Sequence, residues 1–443
     1  MASGEILNAL LPAAKRGVAL LAAASALCLL GAGPAAMRAH AADQTEIVFA
    51  TFLDPNNQND PRAAAQTRMI QAFEAANASI KVTVQVDSTQ QASLRALRSR
   101  SATPDLFRMS NWEIPEFVAS GSVLALDDLV KRDKVDESDW LLPLHTGAVD
   151  GHLYGMPQDF RIPILIYRKS LLAKAGVTPP KTWDEVCKAG GQLNQPGVIG
   201  YPVPVGSSGG MGGAQPLAEN LFSSMASEGD GQYFAANDRD LAMDKGQTIA
   251  TLQVMKDLFG KCKATPQTTL QFGYSEVHDG LRAGTIAMAT FGLFRYRAIE
   301  KGGAEADLAW APPPAFKPDG KLATYGYHVS INANTAHTEA AWQFAKFMGS
   351  PEAQALAAEG GEVVARASVY TKPYFDTPNG QVQKQWAELV KARGRVVHYS
   401  MLATAFNQIL GDAVQRMILR DTTPEAAYEE IVAKYNEALK RSQ

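Results

Sequence analysis

Few residue patterns in this chain have the types and spacing that chemistry needs. Gly206, Ser208 and Gly210 stand at the spacing of a nucleophile elbow, with Tyr201 to Val205 as the strand that would precede it. In that setting Ser208 would be an acyl-transfer nucleophile. The elbow demands a sharp turn straight into a helix, whereas Gly209, Gly210, Gly212 and Gly213 continue as loop. Such a loop offers backbone N–H groups to a ligand without side-chain bulk. None of the seven histidines forms a His-x-x-x-His pair, and neither His328 nor His398 has a cysteine nearby, so no metal and no cofactor are expected. A Gly-x-x-x-x-Gly-Lys phosphate cradle is missing from the sequence, which removes the usual nucleotide hydrolases. Carboxylates are plentiful, but nothing singles out a glycosidase pair. The residues therefore favour binding over catalysis. An exported hydrolase using Ser208 or a cleft carboxylate is the competing reading, and an envelope adhesion module a third.

The start of the chain reads as a removable export signal over residues 1–42. Lys15 and Arg16 precede the apolar run Gly17 to Gly31, followed by Gly33, Pro34 and the small-residue pattern Ala39, His40, Ala41. That run is shorter than the roughly 20 apolar residues a spanning helix needs. Leu27 stands before Cys28 where a lipid-attachment site wants a small residue, so a soluble, periplasmic protein is expected. Removing the segment takes three of the 42 basic and one of the 45 acidic residues, which leaves a net charge near −5. That balance gives no electrostatic footprint for nucleic acid or an anionic membrane. Cys187 and Cys262 then remain. They either bridge or lie buried as free thiols, and free thiols are favoured because so long a chain needs no staple.

The elements that must position any site read as α/β. Glu46–Thr51, Ile80–Val86 and Asp105–Met109 are strand-like, and Ala63–Ala76 and Leu94–Arg98 are helical, which predicts a largely parallel sheet covered on both faces. Ile162–Tyr167 is extended but contains Pro163, which predicts an edge strand or a crossing between sheets. Thr182 with Glu185 predicts a capped helix start. The stretch Ala311–Lys321, with four prolines, resists regular structure, and Val382–Leu439 reads as helical throughout. About 400 residues exceed one comfortable core and predict two domains.

A longer pattern is more specific. Asp150–Pro157 (DGHLYGMP), Ile164–Arg168 (ILIYR), Leu171–Gly176 (LLAKAG) and Thr178–Val186 (TPPKTWDEV) follow one another in order. Thr103–Phe107 (TPDLF), Gly284–Met288 (GTIAM) and Ala340–Gln354 (AAWQFAKFMGSPEAQ) add to it. Together they resemble the bacterial extracellular solute-binding proteins of carbohydrate-type ABC importers, across nearly all of the chain after the signal. Departures are Arg168, where the family usually has asparagine, and Phe294, where it usually has tryptophan.

That resemblance implies a two-lobed α/β periplasmic-binding-protein fold of type II, larger cluster, with discontinuous lobes and a hinge of about three crossings. Lobe one would hold 43–157 and 322–370, and lobe two 158–321 and 371–443. It implies a monomer that captures a small solute, a sugar, oligosaccharide or polyol, and delivers it to the permease subunits of the transporter. An anionic or phosphorylated solute is the alternative. Site candidates in lobe one are Asp54, Asn57 and Gln58 after the first strand, and Asn111, Trp112 and Glu113 after the third; parallel sheets also bind ligands at these strand ends. Trp112 would stack on a sugar face or a quaternary cation. Asp159 and Arg161 follow the Tyr-Gly-x-Pro signature, and Arg161 would orient polar or anionic groups or pair with a carboxylate. From lobe two come Gly209, Gly210, Phe291, Gly292 and Phe294. Tyr325, Tyr327, Arg366 and Tyr399 complete the set.

Overall fold

The computed structural model describes residues 44–442, apart from 58–59, 88–90, 146–147, 207–213, 227, 229–230, 301–305 and 318–319. The expected signal segment, Gln58, Ser208, Gly209 and Gly210 lie outside the described residues. Among the described residues ten strands run β1 (Thr45–Thr51), β2 (Ile80–Val86), β3 (Leu106–Ser110), β4 (Met156–Pro157), β5 (Pro163–Arg168), β6 (Met288–Gly292), β7 (Leu308–Ala311), β8 (Leu322–Thr324), β9 (Tyr327–Ile331) and β10 (Gly394–Val396).

The first sheet has the order β2-β1-β3-β9-β4. β1 pairs parallel with β2 and β3, as helices Pro61–Ala76 and Gln91–Arg98 in the crossovers require. β9 and β4 are antiparallel additions, so the sheet is mixed and not largely parallel as expected. β9 arrives from the second half of the chain and needs no βαβ crossover, which frees it to run either way.

The second sheet, β6-β5-β7, is antiparallel throughout. Here β5 is central, which corrects the edge placement read from Pro163. The proline occupies the first residue of the strand, one of the few places a sheet tolerates a missing N–H. The expected unbroken helix over 382–439 is also corrected. Helices Pro378–Arg393, Ala403–Leu419 and Pro424–Arg441 are separated, and β10 pairs with β8 after the first of them. A Cβ at Gly394 would meet the Val390 carbonyl, and the β-branched pair Val396–Val397 favours extended backbone. Thr182 caps helix Trp183–Leu193 by accepting from Glu185 N at 3.2 Å, while the Glu185 carboxylate reaches back to Lys181 N at 2.6 Å.

Between the two sheets three extended segments lie side by side. Phe160 N donates to Val363 O and Arg161 N to Tyr325 O, at 2.8 and 2.7 Å, so 158–161 is held by 325–327 on one flank and 363–365 on the other. Gly326 is obligatory there, because a Cβ would run into the Asp159 carbonyl. Gly155 of the Tyr-Gly-x-Pro motif is also tightly packed, with His328 Cβ and Ser330 Oγ both 2.7 Å from where a methyl would stand.

Cys187 and Cys262 are bridged, with Cα atoms 5.1 Å apart, which corrects the expectation of buried free thiols. Both are only half-buried. The argument from chain length spoke to whether a bridge was needed and not to whether an exporting compartment would form one. The bond ties helix Trp183–Leu193 to the end of helix Lys245–Phe259 across 75 residues. Replacing both cysteines by serine should lower unfolding free energy by roughly 2 to 4 kcal/mol. Urea unfolding with and without reductant measures this, and coincident curves would show that the bridge constrains nothing.

Candidate functional site

The junction of the sheets is built on charge. Arg161 donates from Nε and Nη2 to Asp159 at 2.9 and 3.0 Å, and from Nη2 to Glu362 at 3.1 and 3.2 Å. Arg108 on β3 donates to the same two carboxylates at 2.8 and 3.2 Å. All four side chains are buried. The Tyr327 ring lies 4.5 Å from the Arg161 guanidinium and 5.2 Å from that of Arg108. Burial works to raise the Asp159 carboxyl, but the charges of Arg161 and Arg108 prevail and hold it below the usual range. At Glu362 burial and the charge of Asp159 prevail, and its carboxyl is pushed up.

Beside this junction a cavity partly open to solvent is walled by Trp112, Phe222, Tyr233, Phe234, Tyr399 and Phe406, with Glu219, Ser223 and Asn407 as polar groups. Trp112 reaches it from the turn after β3, while Phe406 and Asn407 lie on helix Ala403–Leu419. Glu219 stands on a π-helical turn, Leu217–Phe222, a distortion common where a helix serves a site. Its carboxylate accepts from the Tyr274 hydroxyl and from Gln215. Burial raises the Glu219 carboxyl, and those bonds together with Arg161 and Arg295 work against the rise. A carboxylate has about four acceptor sites, so Glu219 keeps capacity for a ligand. Trp112 Nε1 is buried with no hydrogen-bond partner among the described residues. Flat aromatic faces with a carboxylate acceptor and an idle donor suit a ringed, hydroxyl-bearing molecule. Among the described residues no three His, Cys, Asp or Glu converge as a metal group.

A family model described as bacterial extracellular solute-binding protein matches residues 56–355. The chain belongs to this family. It is thus a binding protein and not an enzyme, which sets aside the Ser208 hydrolase. This solute-binding protein is 25% identical to a protein of Sinorhizobium fredii named as the periplasmic-binding protein of a probable amino-acid ABC transporter, over 74% of this chain and 72% of the relative. An ABC substrate-binding protein of Listeria monocytogenes in complex with cycloalternan shares its fold, with a TM-score of 0.73, 21% identity, and 90% of this chain and 100% of that one covered. The GacH receptor of Streptomyces glaucescens, solved unliganded and with acarbose, does so with a TM-score of 0.71, 20% identity and coverage of 90% and 99%. The two-lobed α/β architecture is common to all three folds.

Of the residues the sequence singled out in this solute-binding protein, the cavity brings together Trp112 and Tyr399. Asp54 closes its own turn by accepting from Asn56 N at 2.8 Å, and Asn57 is exposed. Asn111 exchanges bonds with Gly326, and Glu113 accepts from Ser110 N, so both shape the turn that presents Trp112. Asp159, Arg161 and Tyr327 belong to the buried charge cluster. Tyr325 is buried, its hydroxyl without a partner among the described residues, near enough to Glu219 and Arg161 to feel their charge. Phe291 and Gly292 are interior to the second sheet, with Phe291 packed on Tyr274. The Phe294 side chain lies outside what the structure describes. Arg366 stacks 3.7 Å over Trp140 and donates to Gly349 O and Asp136 O, lining neither this cavity nor the junction. Glu219 and Asn407 were missed. Their signal is faint: a lone carboxylate inside the apolar run PLAENLF, and an amide following Phe406.

This division of roles is measurable. Arg161→Ala leaves Asp159 and Glu362 short of a buried partner and should cost about 3 to 5 kcal/mol of stability. Trp112→Ala, at a half-buried cavity wall, should change stability far less. Urea unfolding of both variants decides; equal stability of Arg161→Ala and wild type would remove the cluster from its structural role.

Proposed function

We propose that this protein is the periplasmic capture component of an ABC importer and holds a sugar, oligosaccharide or polyol between Trp112 on one wall and Tyr399, Phe406 and Tyr233 on the other. The observation that carries the reading is the aromatic-walled cavity with Glu219 as its acceptor. Relatives of the same fold solved with cycloalternan and acarbose support it. Residues 43–157 and 322–370 would form one lobe, and 158–321 and 371–443 the other. Trp112 comes from the first set, and Glu219, Tyr233, Tyr399 and Phe406 from the second, so a solute touching both favours the closed form, to which the permease responds. No bond is made or broken. The work is differential binding to the closed state.

Isothermal titration against a panel of sugars and polyols tests this. One member should bind, and Trp112→Ala and Tyr399→Ala should each weaken it about two- to twelvefold, the range expected for loss of a stacked aromatic face. Glu219→Gln, which trades an acceptor oxygen for a donor, should weaken it further. A panel with no binder, or a binder indifferent to all three substitutions, would overturn the reading.

A further inference from the structure

A second cavity opens to solvent among Asn57, Asp60, Arg62, His278, Arg295 and Arg297. Three guanidiniums line it against one carboxylate. Arg62 embraces that carboxylate, Asp60, at 2.7 and 3.0 Å, where Asp60 also caps helix Pro61–Ala76. Arg297 is steadied by Glu300 at 2.6 Å and by the Asn379 carbonyl. Arg295 lies 4.7 Å over the Tyr274 ring. Burial pulls its pKa down, and the positive charges of Arg62 and Arg161 add to that fall. Arg295 is thus held beside other cations at a cost, whereas Asp60 and Glu362 favour the charge on Arg62. The imidazole of His278, pushed down to about 4 by burial and by Arg282, is neutral. Its Nδ1 lies 3.1 Å from Arg282 Nη2 and 3.5 Å from Asp279 Oδ1.

We propose that this cavity is an oxyanion site, built for a carboxylate or phosphate. Guanidinium forks match such groups in geometry as well as charge, and an anion placed among them relieves the mutual repulsion of the arginines. The walls come from Asn57 and Asp60–Arg62 on one side and from His278, Arg295 and Arg297 on the other, so an occupant would join separated segments as the aromatic cavity does. The assignment is independent of how that cavity is read. The anion is either a group carried by the captured solute or a free ion, and the two are separable.

Calorimetric titrations with inorganic phosphate, D-galacturonate and neutral D-galactose test it on the full protein. Phosphate or galacturonate should bind, more weakly as salt rises. Arg295→Gln should reduce that binding roughly ten- to a hundredfold, as for loss of a charged hydrogen-bond partner. Should that variant fold poorly, Ala298→Glu places a carboxylate at an exposed position lining the same cavity. It should weaken the oxyanion and leave neutral-sugar binding as it was. Phosphate binding that does not compete with the solute identifies a free ion; galacturonate binding lost in both Arg295→Gln and Trp112→Ala identifies a group on the solute. Absence of binding by either oxyanion at millimolar concentration, or wild-type affinity in Ala298→Glu, would overturn the assignment, whatever the sugar panel gives.

Discussion

Arg108 and Arg161 cannot lie in a dry interior unless Asp159 and Glu362 lie with them, and these residues come from stretches of chain up to 254 positions apart. Their mutual attraction offsets a desolvation cost of several kcal/mol per ion only when the geometry is nearly complete. That requirement couples the middle of β3, the segment 158–161 and the turn after helix Pro351–Glu359. The backbone bonds of 158–161 to 325–327 and 363–365 give the same crossing a second, uncharged restraint. Gly326 permits it by letting two backbones touch.

A stiff junction has consequences for binding. The turn at Asn111–Glu113 is pinned to Gly326 and to Ser110, so Trp112 is presented from a fixed base. Opposite it, Glu219 is oriented by Tyr274 and Gln215, and the Tyr274 ring in turn supports Arg295. Side chains already oriented lose little entropy when a solute arrives. The binding free energy then remains available to bias closure.

How much of this was legible in the sequence depended on range. β1, β2, β3 and their helices are local patterns, and the capping at Thr182 rests on residues three apart. The family motif was readable because it is continuous along the chain. β5 was misplaced because a proline rule describes strand interiors, and Pro163 begins its strand. β9 and β4 could not be seen as antiparallel, since nothing local records which neighbour a strand meets. Arg161 was singled out for its chemistry, but Glu362, its partner 201 positions away, carries no local mark. Most of the cavity wall opposite Trp112, apart from Tyr399, was missed for the same reason: Glu219, Tyr233 and Phe406 converge only after helices separated by long stretches of chain pack together.

The central claim is that one solute touches the turn at Trp112, the π-helical turn at Glu219 and the start of helix Ala403–Leu419 together. Hydrogen–deuterium exchange with and without a solute identified by native mass spectrometry tests this most directly. Slowed exchange in 111–113, 217–223 and 399–407 at once is the predicted result. Protection confined to one of these segments, or falling wholly elsewhere, would contradict it.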